Sequence, residues 1–465
     1  MRTFIKISSV AVLLFTMAAC SKKLDIQPKE SIDATTAITS ANDVEAAVVG
    51  AYSIMGGSNL YGTDLLMVPD LLAATNYARW QGTFTDYKQI ARKTMTRDNV
   101  AVSGIWQSAY QAINMANIIL DASNVVTDPA LKSQYEGEAL FIRGIMHFEL
   151  VRLYALPWGA TPDNSQLGVV IRTTATKTED QAFEKTPRST VAQVYQQVIA
   201  DLKAAAEKLP EDNGTRADKY TALAFLAKVY LQQADYANAR DAASEVIKSG
   251  MFKMNASVSA VFDNKNTAES IFEIQQNQQN NAGTSNSGMA TFYASLPGIG
   301  RADLMVDNDF WDTYPAGDLR KQEWYYLGIG ENAADPDNEV YNRYTSKWKS
   351  FYQNLPVVRL AEMYLIRAEC NARLGTTVDA SPEEDLAQIN NPVRTGLPVI
   401  SHPTLEDILY QRELELAYEG ARIHDVKRLH EATGSFSWTD PKLVLPIPQR
   451  DVDASEGVLV QNPGY

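Results

Sequence analysis

The stretch from Leu223 to Val246 constrains the fold more than any other part of the chain. It reads Leu223-x2-Leu226-Ala227-x2-Tyr230, followed by Ala239-x3-Ala243-x2-Val246. That is close to tetratricopeptide (TPR) spacing: two helices in a hairpin, small residues where they touch, an aromatic beside them. Leu223, Leu226 and Tyr230 share one face at helical spacing, and Ala227, Ala239 and Ala243 let the two backbones approach. Gln232-Gln233-Ala234-Asp235 supplies a polar turn. Leu223 stands where such repeats usually carry Trp, and the usual closing Pro is absent. One hairpin cannot bury its own apolar face, so further helices must stack on it. This is a scaffold signal and carries no chemistry.

Helical periodicity elsewhere supplies the neighbours. Residues 41–55 read as a helix capped by Ser40 or Asn42, with Val44, Ala47, Val48, Ala51 and Tyr52 on its apolar side. A short helix is expected over 65–72, and an irregular aromatic-rich stretch over 73–86. Long helices are expected over 100–126, with Trp106, Tyr110, Ile113 and Asn117 on one stripe, and from Asp128-Pro129 to Leu156. Residues 159–187 read as a loop with one strand at 169–172. A helix over 190–209 precedes the hairpin of 216–250. From Phe252 the grain changes. Residues 258–330 are rich in Asn, Gln, Gly and Asp, with a strand expected at 270–274. Helices return at 355–374 and 404–432, and the Pro-punctuated tail 443–465 reads as an ordered loop. The expected fold is mostly α: a TPR-type α-solenoid with a loop-rich insertion and little β, divided into regions 41–257 and 258–465.

Composition narrows the function. The chain has 465 residues, 45% hydrophobic and 21% charged, with a formal charge of -14. That charge disfavours nucleic acid and other anionic polymers held by bulk attraction. Two cysteines, Cys20 and Cys370, allow no disulfide framework or zinc pattern. Cys370 falls in an apolar helical run and reads as a buried thiol. His147, His402, His424 and His430 lack ligand spacing, so neither metal nor cofactor is expected. No G-x-S-x-G, H-E-x-x-H or G-x-x-x-x-G-K-[ST] motif occurs. Glu413, Glu419, Arg422, Asp425 and Arg428 alternate in sign every few residues, which favours mutual ion pairing over acid–base catalysis. No catalytic residue is assigned.

The N-terminus has Arg2 and Lys6, then an apolar run from Ile7 to Phe15, too short to span a bilayer. Met17-Ala18-Ala19-Cys20 closes it and resembles a lipoprotein signal, with Met17 in place of the commoner Leu. On that reading residues 1–19 are cleaved, Cys20 is acylated, and 20–40 form a tether. Loss of two basic residues takes the formal charge to -16.

Several motifs together resemble the SusD/RagB family of outer-membrane nutrient-binding lipoproteins. They include Leu24-Asp25-Ile26-Gln27-Pro28, Trp106-x3-Tyr110-x2-Ile113-x3-Asn117, and Glu138-Ala139-Leu140-Phe141-Ile142-Arg143-Gly144. Arg188-Ser189-Thr190 with its following helix and Arg359-Leu360-Ala361-Glu362-Met363-Tyr364 continue the series. The run from Arg412 to Arg428 is the most specific, and Gln461-Asn462-Pro463-Gly464-Tyr465 closes it. The resemblance implies a TPR scaffold, an outer-membrane lipid anchor facing the cell exterior, and binding without catalysis. It also implies a SusC-like TonB-dependent β-barrel transporter as partner. Ser21-Lys22-Lys23 stands where an acidic export run is often found.

A sugar presents C–H faces that pack on aromatic planes and hydroxyls that both donate and accept. Two loop stretches carry such side chains: Asn76-Tyr77-Ala78-Arg79-Trp80-Gln81, and Gln275 to Asn281 continuing to Phe292, Tyr293 and Arg301. The family resemblance implies ligand contacts in these two regions. Tyr77 and Trp80 are expected to stack on sugar rings, and Asn76, Arg79 and Asn281 to meet hydroxyls, with Tyr293 beside them. Oligosaccharide is the expected cargo. A peptide-binding lid of the same architecture, or a TPR adaptor with only a protein partner, are the alternatives.

Overall fold

Helix starts follow local capping chemistry. In the computed structural model, which describes residues 38–182, 184–329 and 342–465, α1 (Ala41–Met55) opens on a capping box of Ser40 and Asp43. After α2 (Asp64–Leu72) come a strand β1 (Ala78–Trp80) and α3 (Thr85–Arg92). The long α4 (Val100–Ala122) is capped by the Asn99 side chain, and α5 (Pro129–Tyr154) by Asp128 with Pro at its first turn. A single turn α6 (Glu179–Ala182) precedes α7 (Val191–Lys208), which opens on a Thr190–Gln193 capping box. The hairpin is α8 (Lys219–Gln232) and α9 (Tyr236–Lys248), with Asp218 and Asp235 as caps and Ala234 left-handed (φ 57°) in the turn.

The solenoid is a succession of neighbours. Helix α4 packs on α5, α5 on α7, α7 on α8, and α8 on α9. The next partner of α9 is α14 (Leu360–Leu374), which then meets α15 (Pro382–Ile389) and α16 (Leu405–Glu415). The stack therefore continues across the whole insertion as if it were absent. Leu226, Ala227, Ala239, Ala243 and Val246 are buried, as the TPR spacing requires. Arg143 on α5 donates to both carboxylate oxygens of Asp201 on α7, at 2.9 and 2.6 Å, tying two turns of the stack together. Burial pushes His147 down to about 4. Its Nε2 accepts from the Arg172 N–H at 3.2 Å, so Nδ1–H donates to the Arg143 carbonyl at 3.0 Å.

The insertion holds short elements: α10 (Ala260–Asp263), β2 (Ser270–Ile274), α11 (Met289–Tyr293), β3 (Leu304–Val306), α12 (Asn308–Thr313), α13 (Leu319–Glu323), β4 (Tyr325–Leu327) and β5 (Arg343–Thr345). Strand β6 (Leu355–Arg359) leads straight into α14. One antiparallel sheet has the order β1-β3-β5-β4, and a second pairs β2 with β6. The chain closes with α17 (Arg422–Arg428) and α18 (Gln449–Ala454). Its tail is sewn to the end of α5. Leu445 N–H donates to the Leu153 carbonyl, and Asn462 Nδ2 to the Tyr154 carbonyl, each at 2.8 Å.

Four expectations need correction. No strand forms at 169–172. Residues 78–80, expected to be irregular, form an edge strand. Residues 355–359 are strand rather than helix, because Pro356 disfavours helix at Leu355 and the branched Val357 and Val358 suit a ladder. The helix expected over 404–432 breaks after Glu415. Tyr418 and Gly420 take left-handed backbone there (φ 60° and 76°), and a Cβ on Gly420 would lie 2.9 Å from the Leu66 Cα on α2. The expected lipobox, Cys20 and the tether up to Ala37 lie outside the described residues.

Candidate functional site

Strand β1 carries the first binding stretch to the edge of the four-stranded sheet. Its alternation separates residues that are adjacent in sequence. Trp80 points to one face, where its ring meets Tyr87 at 5.3 Å and Phe292 at 5.8 Å, centroid to centroid. Phe84 joins this cluster, 5.9 Å from Phe292. The Arg301 guanidinium lies 4.9 Å above the Phe84 ring and is fixed by Asp303 at 2.9 Å. Trp80, Phe84 and Tyr87 are half-buried, while Phe292 beneath them is fully buried. Gln81 ties the strand to the insertion, donating to the Ala302 carbonyl at 2.6 Å and the Tyr344 hydroxyl at 3.0 Å.

Arg79 faces the other side of the sheet, opposite Met305 in register. Its Nε lies 3.8 Å from the Asp307 carboxylate, beyond hydrogen-bond range, and its Nε and Nη2 have no hydrogen-bond partner among the described residues. Asn76 is exposed, in left-handed backbone (φ 54°) that Asn tolerates.

Two expected ligand-binding residues, the ring-stacker Tyr77 and its neighbour Tyr293, are floor instead. Tyr77 is 1% exposed. One face lies on Tyr418 at 4.6 Å and 7°, and Phe310 meets it edge-on at 4.8 Å. Its hydroxyl donates to Asp70 Oδ1 at 3.4 Å and accepts from the Tyr418 N–H at 2.5 Å. Tyr293, also 1% exposed, donates to Asp70 Oδ2 at 2.8 Å. Neither offers a free face in this structure. Asn281 is half-buried and holds its own loop: Nδ2 donates to the Asn277 and Gln278 carbonyls, and Oδ1 accepts from Gly283 N–H. Asn281 and Trp80 thus stand in different roles.

The floor is acidic. Burial pushes both Asp64 and Asp70 up to about 7, against the opposing hydrogen bonds from Tyr87 to Asp64 and from Tyr293, Gly420 and Tyr77 to Asp70. The charged helices expected to pair do so. Arg412 holds Glu362 and Asp425, each at 2.9 Å, and Arg428 holds Glu369 and Asp425, each at 2.6 Å. Glu415 accepts from Arg320, Arg359 and Arg394. Burial pushes the Cys370 thiol up to about 12.

Comparison with known proteins follows the same outline. A family model described as "Starch-binding associating with outer membrane" matches residues 22–231, and the SusD family model matches 336–442. The chain belongs to the SusD/RagB family. A SusD-like protein P2 of Formosa agariphila is 28% identical, with 98% of each chain covered. A solved structure from Bacteroides vulgatus is 26% identical with TM-score 0.80, covering 92% of this chain and 100% of that one. A SusD superfamily structure from Bacteroides thetaiotaomicron shares the fold at TM-score 0.80 and 24% identity, over 91% and 100% of the two chains. Members of the family are nutrient-binding outer-membrane proteins rather than enzymes. Among the described residues, no helix is long and apolar enough to cross a membrane.

Sequence reasoning missed Phe84, Tyr87 and Phe292 as partners of Trp80. Aromatics at 80, 84 and 87 are visible in the sequence, but the strand that turns Trp80 onto Phe292 is fixed only by pairing with β3.

Proposed function

We propose that the protein captures oligosaccharide at the cell surface and passes it to a SusC-like TonB-dependent β-barrel, remaining anchored to the outer membrane through acylated Cys20. The observation that carries this reading is Trp80: a half-exposed indole at the end of an edge strand, backed by Tyr87 and Phe292 so that it cannot tip inward. A rigid aromatic plane suits the C–H face of a pyranose. Arg301, held over Phe84, and the exposed Asn76 supply polar groups, and Arg79, whose side chain is 38% exposed, can meet hydroxyls at the sheet's other face. In this revised site Tyr77 and Tyr293 support the platform, and Asn281 orders the neighbouring loop. The site binds and releases without altering its cargo.

Calorimetry against a panel of oligosaccharides tests this. Micromolar binding, about -8 kcal/mol, is expected with at least one glycan and is weakened in Trp80→Ala. Heat with peptides alone would move the cargo class, and no small ligand at all would favour an adaptor. Co-purification with a large barrel from mild detergent tests the partner.

A further inference from the structure

The Trp80 indole is held by contacts that its own strand does not supply. Strand β1 ends at Trp80, and Gly82 follows after one residue. A Cβ built on Gly82 would lie 2.6 Å from Trp80 Cζ2, 2.6 Å from Asp303 Cγ and 2.8 Å from Asp303 Cβ. These distances bring the benzo edge of the indole and the Asp303 side chain to one point, the bare side of Gly82. Asp303 in turn holds Arg301 at 2.9 Å, so the ring and the guanidinium belong to one surface.

Neither neighbour has room to yield. The Asp303 carbonyl accepts from the Gln81 N–H at 2.8 Å, which fixes that backbone beside β1, and the Asp303 side chain is 7% exposed. Behind the indole stand Phe292, fully buried, and Tyr87, whose ring also meets Phe292 at 5.2 Å and Phe84 at 6.1 Å. The Tyr87 hydroxyl donates to Asp64, the first residue of α2, at 2.9 Å. The backing ring is therefore tied to the helical scaffold. A methyl added at position 82 forces the indole outward, away from that backing.

The pose has a cost. Trp80 Nε1 is turned inward, with no hydrogen-bond partner among the described residues. An unmet buried donor costs roughly 1–3 kcal/mol, and an indole free to turn would place it in water. The surroundings impose the pose instead. As a result the half-buried ring offers carbon, and no donor, to solvent. A carbon plane with a guanidinium beside it suits a ligand ring whose rim carries oxygens.

We propose that Gly82 is a positioning residue of this site. Its missing side chain lets the Trp80 indole lie N–H inward against Asp303, and so brings the ring face and Arg301 to bear on one ligand. The effect on affinity rests on the reading of Trp80 as a sugar platform; the effect on the indole does not.

Nuclear magnetic resonance of the indole N–H groups tests the pose without a ligand. The Trp80 signal, identified by its loss in Trp80→Phe, should exchange slowly with heavy water in the wild type. In Gly82→Ala it should exchange at least about tenfold faster, with the other indoles unchanged. Calorimetry with maltohexaose, cellohexaose and laminarihexaose reads the consequence. The probe that binds the wild type should bind Gly82→Ala about tenfold more weakly, at an unchanged melting temperature. Equal exchange in the two proteins overturns the proposal. So does fast exchange in the wild type, which decides the matter if Gly82→Ala fails to fold. Affinity kept within about twofold while the N–H is released overturns the positioning role. If no probe binds, or if Trp80→Ala leaves binding intact, the sugar reading fails, and the exchange rates alone decide whether Gly82 sets the indole.

Discussion

The molecule buries carboxylates in two regions by opposite means. In the closing helices Glu362, Glu369, Glu415 and Asp425, and beside them Glu269 just before β2, are each held by arginines. Burial would push Asp425 up, yet Arg412 and Arg428 outweigh it and hold it at about 2. Beneath the Trp80 cluster, Asp64 and Asp70 are equally deep, but their close partners are tyrosine hydroxyls. There burial wins and both rise to about 7. The contrast teaches that depth alone does not set ionisation; the partner does. It also divides labour. Ion pairs lock the scaffold in one register, while tyrosine hydrogen bonds hold the aromatic floor under the Trp80 cluster.

The sharpest way to break the comparison is Glu415→Ala, which removes the carboxylate shared by Arg320, Arg359 and Arg394. A loss of about 3–5 kcal/mol in chemical denaturation is expected. A loss below about 1 kcal/mol would mean that the network contributes little.

Next is pH. Asp70 has a raised folded value, so folding takes up a proton between its ordinary value of 3.8 and about 7. Stability from this group should therefore fall as pH rises through that window, by roughly 4 kcal/mol, and Asp70→Asn should remove that fall. Asp425 is depressed and has the opposite sign. Its contribution is full above 3.8 and is lost as pH falls through about 2. Stability measured from pH 2 to 8 in both proteins separates the two; an unchanged slope in Asp70→Asn would remove the floor from the comparison.

Tyr293→Phe takes one donor from Asp70 and should cost about 1–3 kcal/mol, read by thermal melting, while leaving ligand affinity within twofold. The smallest effect is on binding itself. Trp80→Ala should weaken glycan affinity about tenfold, about 1.4 kcal/mol, whereas Tyr77→Phe should not. The reverse pattern, measured by calorimetry, would put Tyr77 at the ligand and Trp80 in the floor.

Most helices were legible because their signals are local. The cap at Ser40, the Asp128-Pro129 start and the alanines of the hairpin each lie within a turn or two of what they control. Where local reading failed, a distant partner intervened. Residues 355–359 are strand because β2 is there to pair with them. The helix after Glu415 ends because Gly420 must pass against Leu66. The site was legible as a region and not as a set of roles. Tyr77 and Trp80 look alike in sequence, and residues far along the chain, Phe310 and Tyr418, cover one and not the other.

The sequence by itself determined a helical scaffold, its order of elements and its family, since periodicity, capping and motif spacing depend on residues close along the chain. Tertiary structure alone decided which aromatic faces stay open, which acids keep a proton, and which buried cations meet which carboxylates. Those properties depend on burial and on neighbours brought together across hundreds of residues, and no local pattern encodes them.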